Sequence, residues 1–273
     1  MASTDALQLA VLKKTDIAGC MALSAEAGWN QTQEDWALFV RHGSVFGLPQ
    51  GDGQPVATGA ILPYGENFAW ISMVLVTASR RRQRIGTSIL EVCCAELVRR
   101  GMVGVLDATP AGERVYRPLG FEPMFSLSRW QGHGDGDSRG GGGGGGDGGD
   151  DADLPSAIRS MRERDLAAVA ALDAAAFGAR RMFVLQDFYR RAPQFAFVTA
   201  NVDGFVVART GRIATQIGPL VAADERSAAA LLAAAIGSVT GPVFLDLCDD
   251  WDKIGSDLVR RGFSAPRACR SKR

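Results

Sequence analysis

The sequence predicts an α/β fold built as two successive units, and three observations predict it. Residues 68–76 ("FAWISMVLV"), 86–100 and 103–108 ("VGVLDA") follow one another as buried strand, apolar-periodic helix and buried strand. Segments of the first half return in the same order in the second. Between them lies "GHGDGDSRGGGGGGGDGGDDAD" (132–153), a glycine and aspartate run with no large apolar side chain to offset the entropy of ordering it.

In chain order, "TDIAGCMALSAEAGW" (15–29) opens with an aspartate ahead of an apolar helical pattern, as an N-cap stands, and "RDLAAVAALDAAAFG" (164–178) repeats this. "SVFGL" (44–48) and "PVATGAILP" (55–63) flank "PQGDGQ", whose glycines suit a hairpin turn. The run at 68–76 reads as a central strand. Ile89, Cys93 and Leu97 then recur at helical spacing with Leu90 and Cys94 beside them, and Gly101 stands at the C-cap. Strand, helix and strand in this order imply a right-handed crossover onto a largely buried sheet. "VLDATPAGERVYRPLGF" (105–121) and "FLDLCDDWDKIGSDLVRRGF" (244–263) both run strand, Asp, helix, Gly-Phe, as a duplicated unit would. The expected organisation is an N-terminal domain at 1–130, a disordered linker at 131–153 and a C-terminal domain at 154–273.

At 273 residues, 47% of them apolar, the chain is long enough for two cores. Thirty basic residues balance thirty acidic ones, so no overall field draws nucleic acid or a membrane surface. Attraction for an anion must come from a local cluster. Cys20, Cys93, Cys94, Cys248 and Cys269 form no C-x-x-C pair, and only two histidines accompany them, which argues against a metal site and a disulfide framework. The N-terminus "MASTDALQLAVLKKTD" lacks a signal-peptide pattern, and no apolar run reaches about 18 residues. The expectation is a soluble cytoplasmic protein.

The cluster is "SRRRQRIG" (79–86), where the strand ending near Val76 delivers the chain to a helix. Backbone N–H groups converge at such a start, the helix dipole adds positive charge, and Arg80, Arg81, Arg82 and Arg84 add donors suited to phosphate. No G-x-x-x-x-G-K-[ST] occurs, and no G-x-G-x-x-G follows a strand, so a P-loop and a dinucleotide fingerprint fall away. A nucleic-acid patch is disfavoured because no aromatic residues interleave the basic ones.

This turn resembles that of the GCN5-related N-acetyltransferase (GNAT) superfamily, whose [RQ]-x-x-G-x-[GA] motif follows the fourth strand. Here it reads Arg81-Arg82-Gln83-Arg84-Ile85-Gly86, with Arg84 in place of the family's first glycine. "GERVYRPLGFEP" (112–123) resembles the family's C-terminal signature. The likeness covers residues 7–130, and 156–273 is similar to the extra C-terminal acetyltransferase-like domain of one subgroup. It implies tandem GNAT-like units, each a mixed, mostly antiparallel sheet flanked by helices. It also implies acetyl-CoA as cosubstrate, with pyrophosphate on Arg81, Arg82, Gln83, Arg84, Ile85, Gly86 and Thr87. A backbone N–H near Val74, Leu75 and Val76 would polarise the thioester. The matching second-half turn, "IGPLVAADERSAAALL" (217–232), sets Asp224 and Glu225 where phosphate needs donors, implying a degenerate domain.

Tyr116 holds the motif's aromatic position, where a phenol can protonate a departing thiolate. Glu66, just before the fourth strand, is the candidate base. Asp107 ends the fifth strand, where it could face the substrate, but Asp246 takes the same place in the half that lacks the cofactor turn, which favours a structural cap for both. By the resemblance Trp29, Trp36 and Tyr64 border the acceptor side of the cleft, although large aromatics more often pack cores. The expected activity is acetyl transfer to an amine of a small molecule, without nucleic acid or membrane as partner, by a monomer or homodimer. A non-catalytic acyl-CoA-binding protein with a degenerate transferase fold is the alternative.

Overall fold

The computed structural model describes residues 8–50, 54–108, 112, 115–136 and 158–273, without the side chains of 267–270. The chain divides into two compact units, Met1–Ser126 with Cys269–Arg273, and Leu127–Ala268.

In the first unit, β1 (Ala10–Val11), α1 (Ile17–Glu26), α2 (Gln33–His42), β2 (Ser44–Pro49), β3 (Pro55–Tyr64), β4 (Phe68–Val76), α3 (Ile85–Arg100) and β5 (Val103–Ala108) follow in order. Strands β1 to β4 pair antiparallel, whereas β4 and β5, joined through α3, pair parallel. The covering on both faces expected of β4 is met. Ile71, Leu106 and Ala108 turn to α3, where Ile89, Leu90, Cys93 and Leu97 complete one core. Met73 and Leu75 turn the other way, onto Ile17, Cys20 and Leu23 of α1 and Trp36 of α2. Gly101 ends α3 in the left-handed region (φ 67), as a C-cap glycine does.

The second unit repeats this plan. After β6 (Pro123–Asp135) come β7 (Ile158–Ser160), α4 (Leu166–Phe177), α5 (Met182–Arg191), β8 (Phe197–Thr199), β9 (Phe205–Arg209), β10 (Thr215–Val221), α6 (Glu225–Ser238), β11 (Thr240–Cys248), α7 (Asp252–Arg260) and β12 (Ser264–Lys272). Strands β7 to β10 are antiparallel, and β10 pairs parallel with β11 across α6.

The last strand of each sheet comes from an unexpected place. Lys272, Ser271 and Arg270 of β12 pair antiparallel with Leu106, Asp107 and Ala108, so the end of the chain closes the first unit's sheet. Residues 127–135 of β6 pair instead with β11 in the second unit, from Leu127 opposite Cys248 to Asp135 opposite Thr240. The boundaries expected at 130 and 154 therefore shift. Of the expected linker, 131–135 is strand, and 137–153 lies outside the described residues. The composition misleads because Gly132 and Gly134 share one face of β6 and are close-contact positions. A Cβ would meet the Phe263 ring at 2.5 Å from Gly132 and the Val239 carbonyl oxygen at 2.1 Å from Gly134.

The paired aspartates also differ from expectation. Asp16 and Asp165 cap no α-helix by side-chain hydrogen bond; each carboxylate accepts the N–H three residues earlier, from Lys13 and Arg162. Both close a short 3₁₀ turn that leads into the helix. Asp165 is further held by Arg159, with Nη1 2.7 Å from Oδ2.

Candidate functional site

The site begins where β4 and β5 part. Their pairing runs from Phe68 opposite Val103 to Trp70 opposite Val105, yet β4 continues to Val76 and β5 to Ala108. Beyond Trp70 the described residues of the two strands no longer pair. On the other side of β4, Ser72 faces Ala60 and Leu75 faces Thr58, so Met73 and Val74 together oppose Gly59 in a β-bulge. Met73 lies in the left-handed region (φ 53), and the Thr58 hydroxyl donates to its carbonyl at 2.9 Å in a buried setting. Such bulges re-aim backbone donors and gather beside functional sites.

At the end of β4 the chain makes the arginine-rich turn. Glu26, the last residue of α1, accepts the Ala78 N–H at 2.6 Å and the Thr77 hydroxyl at 2.8 Å. Those donors, with the Arg81 charge, hold its carboxyl below the usual carboxylate range. Arg81 Nε donates to the Val76 carbonyl at 3.1 Å, while Arg82 (φ 61) and Arg84 (φ 62) are left-handed. Side chains of Arg80, Arg81, Arg82, Gln83 and Arg84 are exposed, and α3 starts without a side-chain cap. Its first N–H groups thus face an electropositive surface. Gly86 tests whether a ligand fits there. A Cβ built on it would meet only Val76 Cγ2, at an ordinary 3.5 Å, so packing within the chain does not demand glycine. The open space suits a phosphate-bearing group drawn close to the backbone.

Val74, Leu75, Val76, Arg81, Arg82, Gln83, Arg84, Ile85, Gly86 and Thr87 are thus brought to one strand-to-helix corner. Tyr116 packs against the α3 core with its ring 6.2 Å from that of Phe121, and burial pushes its phenol above the ordinary value of 10. Glu66 is not brought to this corner. It sits exposed in the β3–β4 turn, at the far end of β4, about 20 Å or more from Val74 at ~3.3 Å per strand residue. Trp36 is core, fully buried with its indole N–H on Ser24 at 3.0 Å, and Tyr64 rests on Phe68 beside Glu66. Glu26 had no signal in the sequence, since about fifty residues separate it from the turn it holds. Cys20 and Cys93 are pushed up to about 12 by burial, and Cys94 and Cys248 are raised from the same first cause.

The second unit has the same corner with different chemistry. β10 and β11 pair from Thr215 opposite Val243 to Ile217 opposite Leu245, and a cavity of about 240 Å³ opens beyond, walled by Pro219, Leu220, Leu247 and Trp251. The bulge residues opposite Val207 are Gly218 and Pro219, and proline offers no N–H. The α6 start is already filled by the Asp224 carboxylate, which accepts the Ser227 N–H at 2.7 Å. A carboxylate in that seat repels phosphate.

Comparison with known proteins follows the same division. Residues 14–121 match the acetyltransferase (GNAT) family and residues 169–271 match an acetyltransferase (GNAT) domain, together more than half of the chain. An uncharacterized N-acetyltransferase of Bacillus subtilis, YitH, is 22% identical over 261 residues, covering 94% of this chain and 87% of that protein. Among solved structures, a putative acetyltransferase from Pyrococcus horikoshii superposes with a TM-score of 0.73 at 20% identity, covering 100% of this chain and 90% of that one. A tandem GNAT protein from the clavulanic acid biosynthesis pathway gives 0.67 at 14% identity, with 97% of both chains covered. Two family matches on two like-built units, each with a parallel strand pair parted beside a helix start, place this chain in the GNAT superfamily as an N-acetyltransferase of two tandem GNAT units.

Proposed function

We propose that the first unit transfers the acetyl group of acetyl-CoA to an amine of a small molecule, while the second unit is a degenerate copy without cosubstrate. One observation carries the reading. The N-terminus of α3 is uncapped and ringed by arginines at the end of a strand that parts from its neighbour, whereas the α6 N-terminus holds its own carboxylate.

Arg81, Arg82 and Arg84, with the N–H groups of Gln83 to Thr87, hold the pyrophosphate. The β4 bulge and the strand beyond it, Val74 to Val76, present backbone N–H to the thioester oxygen, an oxyanion donor that costs no reorganisation. Acetyl-CoA supplies the activated acetyl group. Tyr116, a phenol that burial pushes above its ordinary value of 10, gives the departing sulfur its proton. The described thiols are all pushed toward the neutral form, so direct attack by the amine is favoured over an acyl-enzyme on cysteine.

Calorimetric titration of acetyl-CoA into the full chain tests this. Micromolar binding that Arg81→Glu with Arg82→Glu weakens at least tenfold supports the assignment. Unchanged affinity in that variant removes the pyrophosphate from this turn.

A further inference from the structure

The second unit keeps the space between its parallel strands although its corner refuses a phosphate. Pro219 withholds a backbone donor at the bulge, and the Asp224 carboxylate fills the α6 start. Beyond Ile217 and Leu245, the last pair of β10 and β11, a cavity of about 240 Å³ is walled by Pro219, Leu220, Leu232, Leu247, Trp251 and Ile254. An aliphatic cavity of about 150 Å³ is enough to take up benzene. Walls of this kind make an apolar body the first requirement on an occupant.

The rim sets the second requirement. The Trp251 N–H donates to the Cys248 carbonyl at 3.2 Å, so 248–251 form a turn between two wall residues, with Asp249 and Asp250 exposed at its middle. Asp252, also exposed, opens α7 directly afterwards. Neighbouring charges are already balanced. Arg129 clamps the wall residue Asp246, Nε to Oδ1 and Nη2 to Oδ2 both at 2.8 Å, and Lys253 pairs with Glu225 at 3.3 Å. In the first unit the counterpart of Asp246, Asp107, accepts the Ser271 hydroxyl instead. Asp249 accepts the Ser128 hydroxyl at 2.8 Å, which orients the carboxylate and leaves its charge in place. Among the described residues no basic side chain pairs with Asp249, Asp250 or Asp252. Their field reaches the cavity wall: burial first, then the charges of Asp250 and Asp249, push the Cys248 thiol up.

We propose that the second unit binds an organic cation with an apolar body, whose hydrocarbon part fills this cavity and whose ammonium sits among Asp249, Asp250 and Asp252. The two units then divide by charge. The first receives an anion at an arginine-rich helix start, and the second receives a cation at an aspartate-rich turn. No step of acetyl transfer passes through the second site, so the proposal uses only the reading that this unit holds no cosubstrate. An anionic ligand of the same shape is disfavoured twice, by the missing donors at the corner and by the carboxylates at the rim.

The test reads Cys248, an exposed thiol on the cavity wall. The full chain, without acetyl-CoA, is alkylated with uncharged iodoacetamide, and the rate at each cysteine is followed by peptide mass spectrometry. Phenethylamine, phenethyl alcohol and phenylacetate, which share a phenyl ring and a two-carbon tail, serve as probes. Millimolar phenethylamine, an ordinary range for so small a ligand, should slow Cys248 by about fivefold or more and leave the half-buried Cys94 unchanged. The alcohol should need about 2- to 5-fold more for the same protection, and the carboxylate more again. Asp249→Asn, Asp250→Asn and Asp252→Asn together should bring amine and alcohol level. No protection by millimolar amine, equal slowing of Cys94, equal protection by amine and carboxylate, or an amine preference that survives the three substitutions overturns the proposal. Protection of Cys248 by coenzyme A overturns it together with the degenerate reading of this unit, and leaves the acetyl-transfer reading of the first unit standing.

Discussion

Arg84 stands where the family motif has glycine, and its backbone (φ 62, ψ 5) shows the cost of the exchange. A side chain in the left-handed region costs about 1–2 kcal/mol. Arg84→Gly relieves that, but glycine also loosens the unfolded chain, which costs about 0.4–1 kcal/mol. The net gain is about 0.5–1 kcal/mol, or about 2–4 °C in the melting of a unit this size. Arg84→Ala keeps the strain and removes only the charge, so its melting temperature should match the parent's. Both variants lose one exposed charge-assisted contact to phosphate, about 0.5–1 kcal/mol after solvent screening, which is a 2- to 5-fold loss of acetyl-CoA affinity. Differential scanning calorimetry and titration of the three proteins separate these effects. If Arg84→Gly melts no higher than Arg84→Ala, the left-handed residue carries no strain and the arginine replaced the glycine freely.

Other outcomes follow from the same geometry. Tyr116→Phe should lower kcat about 100-fold with acetyl-CoA affinity unchanged by titration, and undiminished turnover removes the phenol from the chemistry. Deleting 269–273 should lower the first unit's melting temperature by several degrees, because Leu106 to Ala108 lose their paired strand; an unchanged transition would contradict the pairing. Arg159 beside Asp165 holds that carboxyl at about 2, below an ordinary value of about 3.9. The stability it gives is fully present above the ordinary value and lost as pH falls through about 2. Urea midpoints should therefore show Arg159→Gln less stable at pH 6, with the gap narrowing through pH 2 and closed by about pH 1. A gap that does not narrow between pH 6 and pH 1 refutes the carboxylate as its source.

Local signals made the β4–α3–β5 corner legible. Continuous apolar runs, helical spacing at Ile89, Cys93 and Leu97, and Gly101 at the cap each speak of their own neighbourhood. Features that depend on distant partners were not legible. Gly132 and Gly134 read as linker because the Phe263 ring and Val239 carbonyl that require them lie more than a hundred residues on. Glu26 and Ser271 carry no motif, since each acts on a segment far away in the chain. Asp107 and Asp246 looked alike because the residues that distinguish them, Ser271 and Arg129, sit on strands whose destinations composition does not reveal.

The origin of those last strands has a consequence for how the chain becomes an enzyme. A strand that directly follows the first unit, 127–135, serves the second unit's sheet, while the first sheet is closed only by 270–272. Units that fold as they are synthesised normally complete in N-terminal order. Here the β5 edge, with Leu106 and Ala108 in its core face, has no paired strand until residues 270–272 have been made. The Asp107 carboxylate, which accepts the Ser271 hydroxyl, waits on the same residues. The second unit, whose own anion seat is taken by Asp224, therefore stands in the chain between the first unit and the strand that pairs with β5.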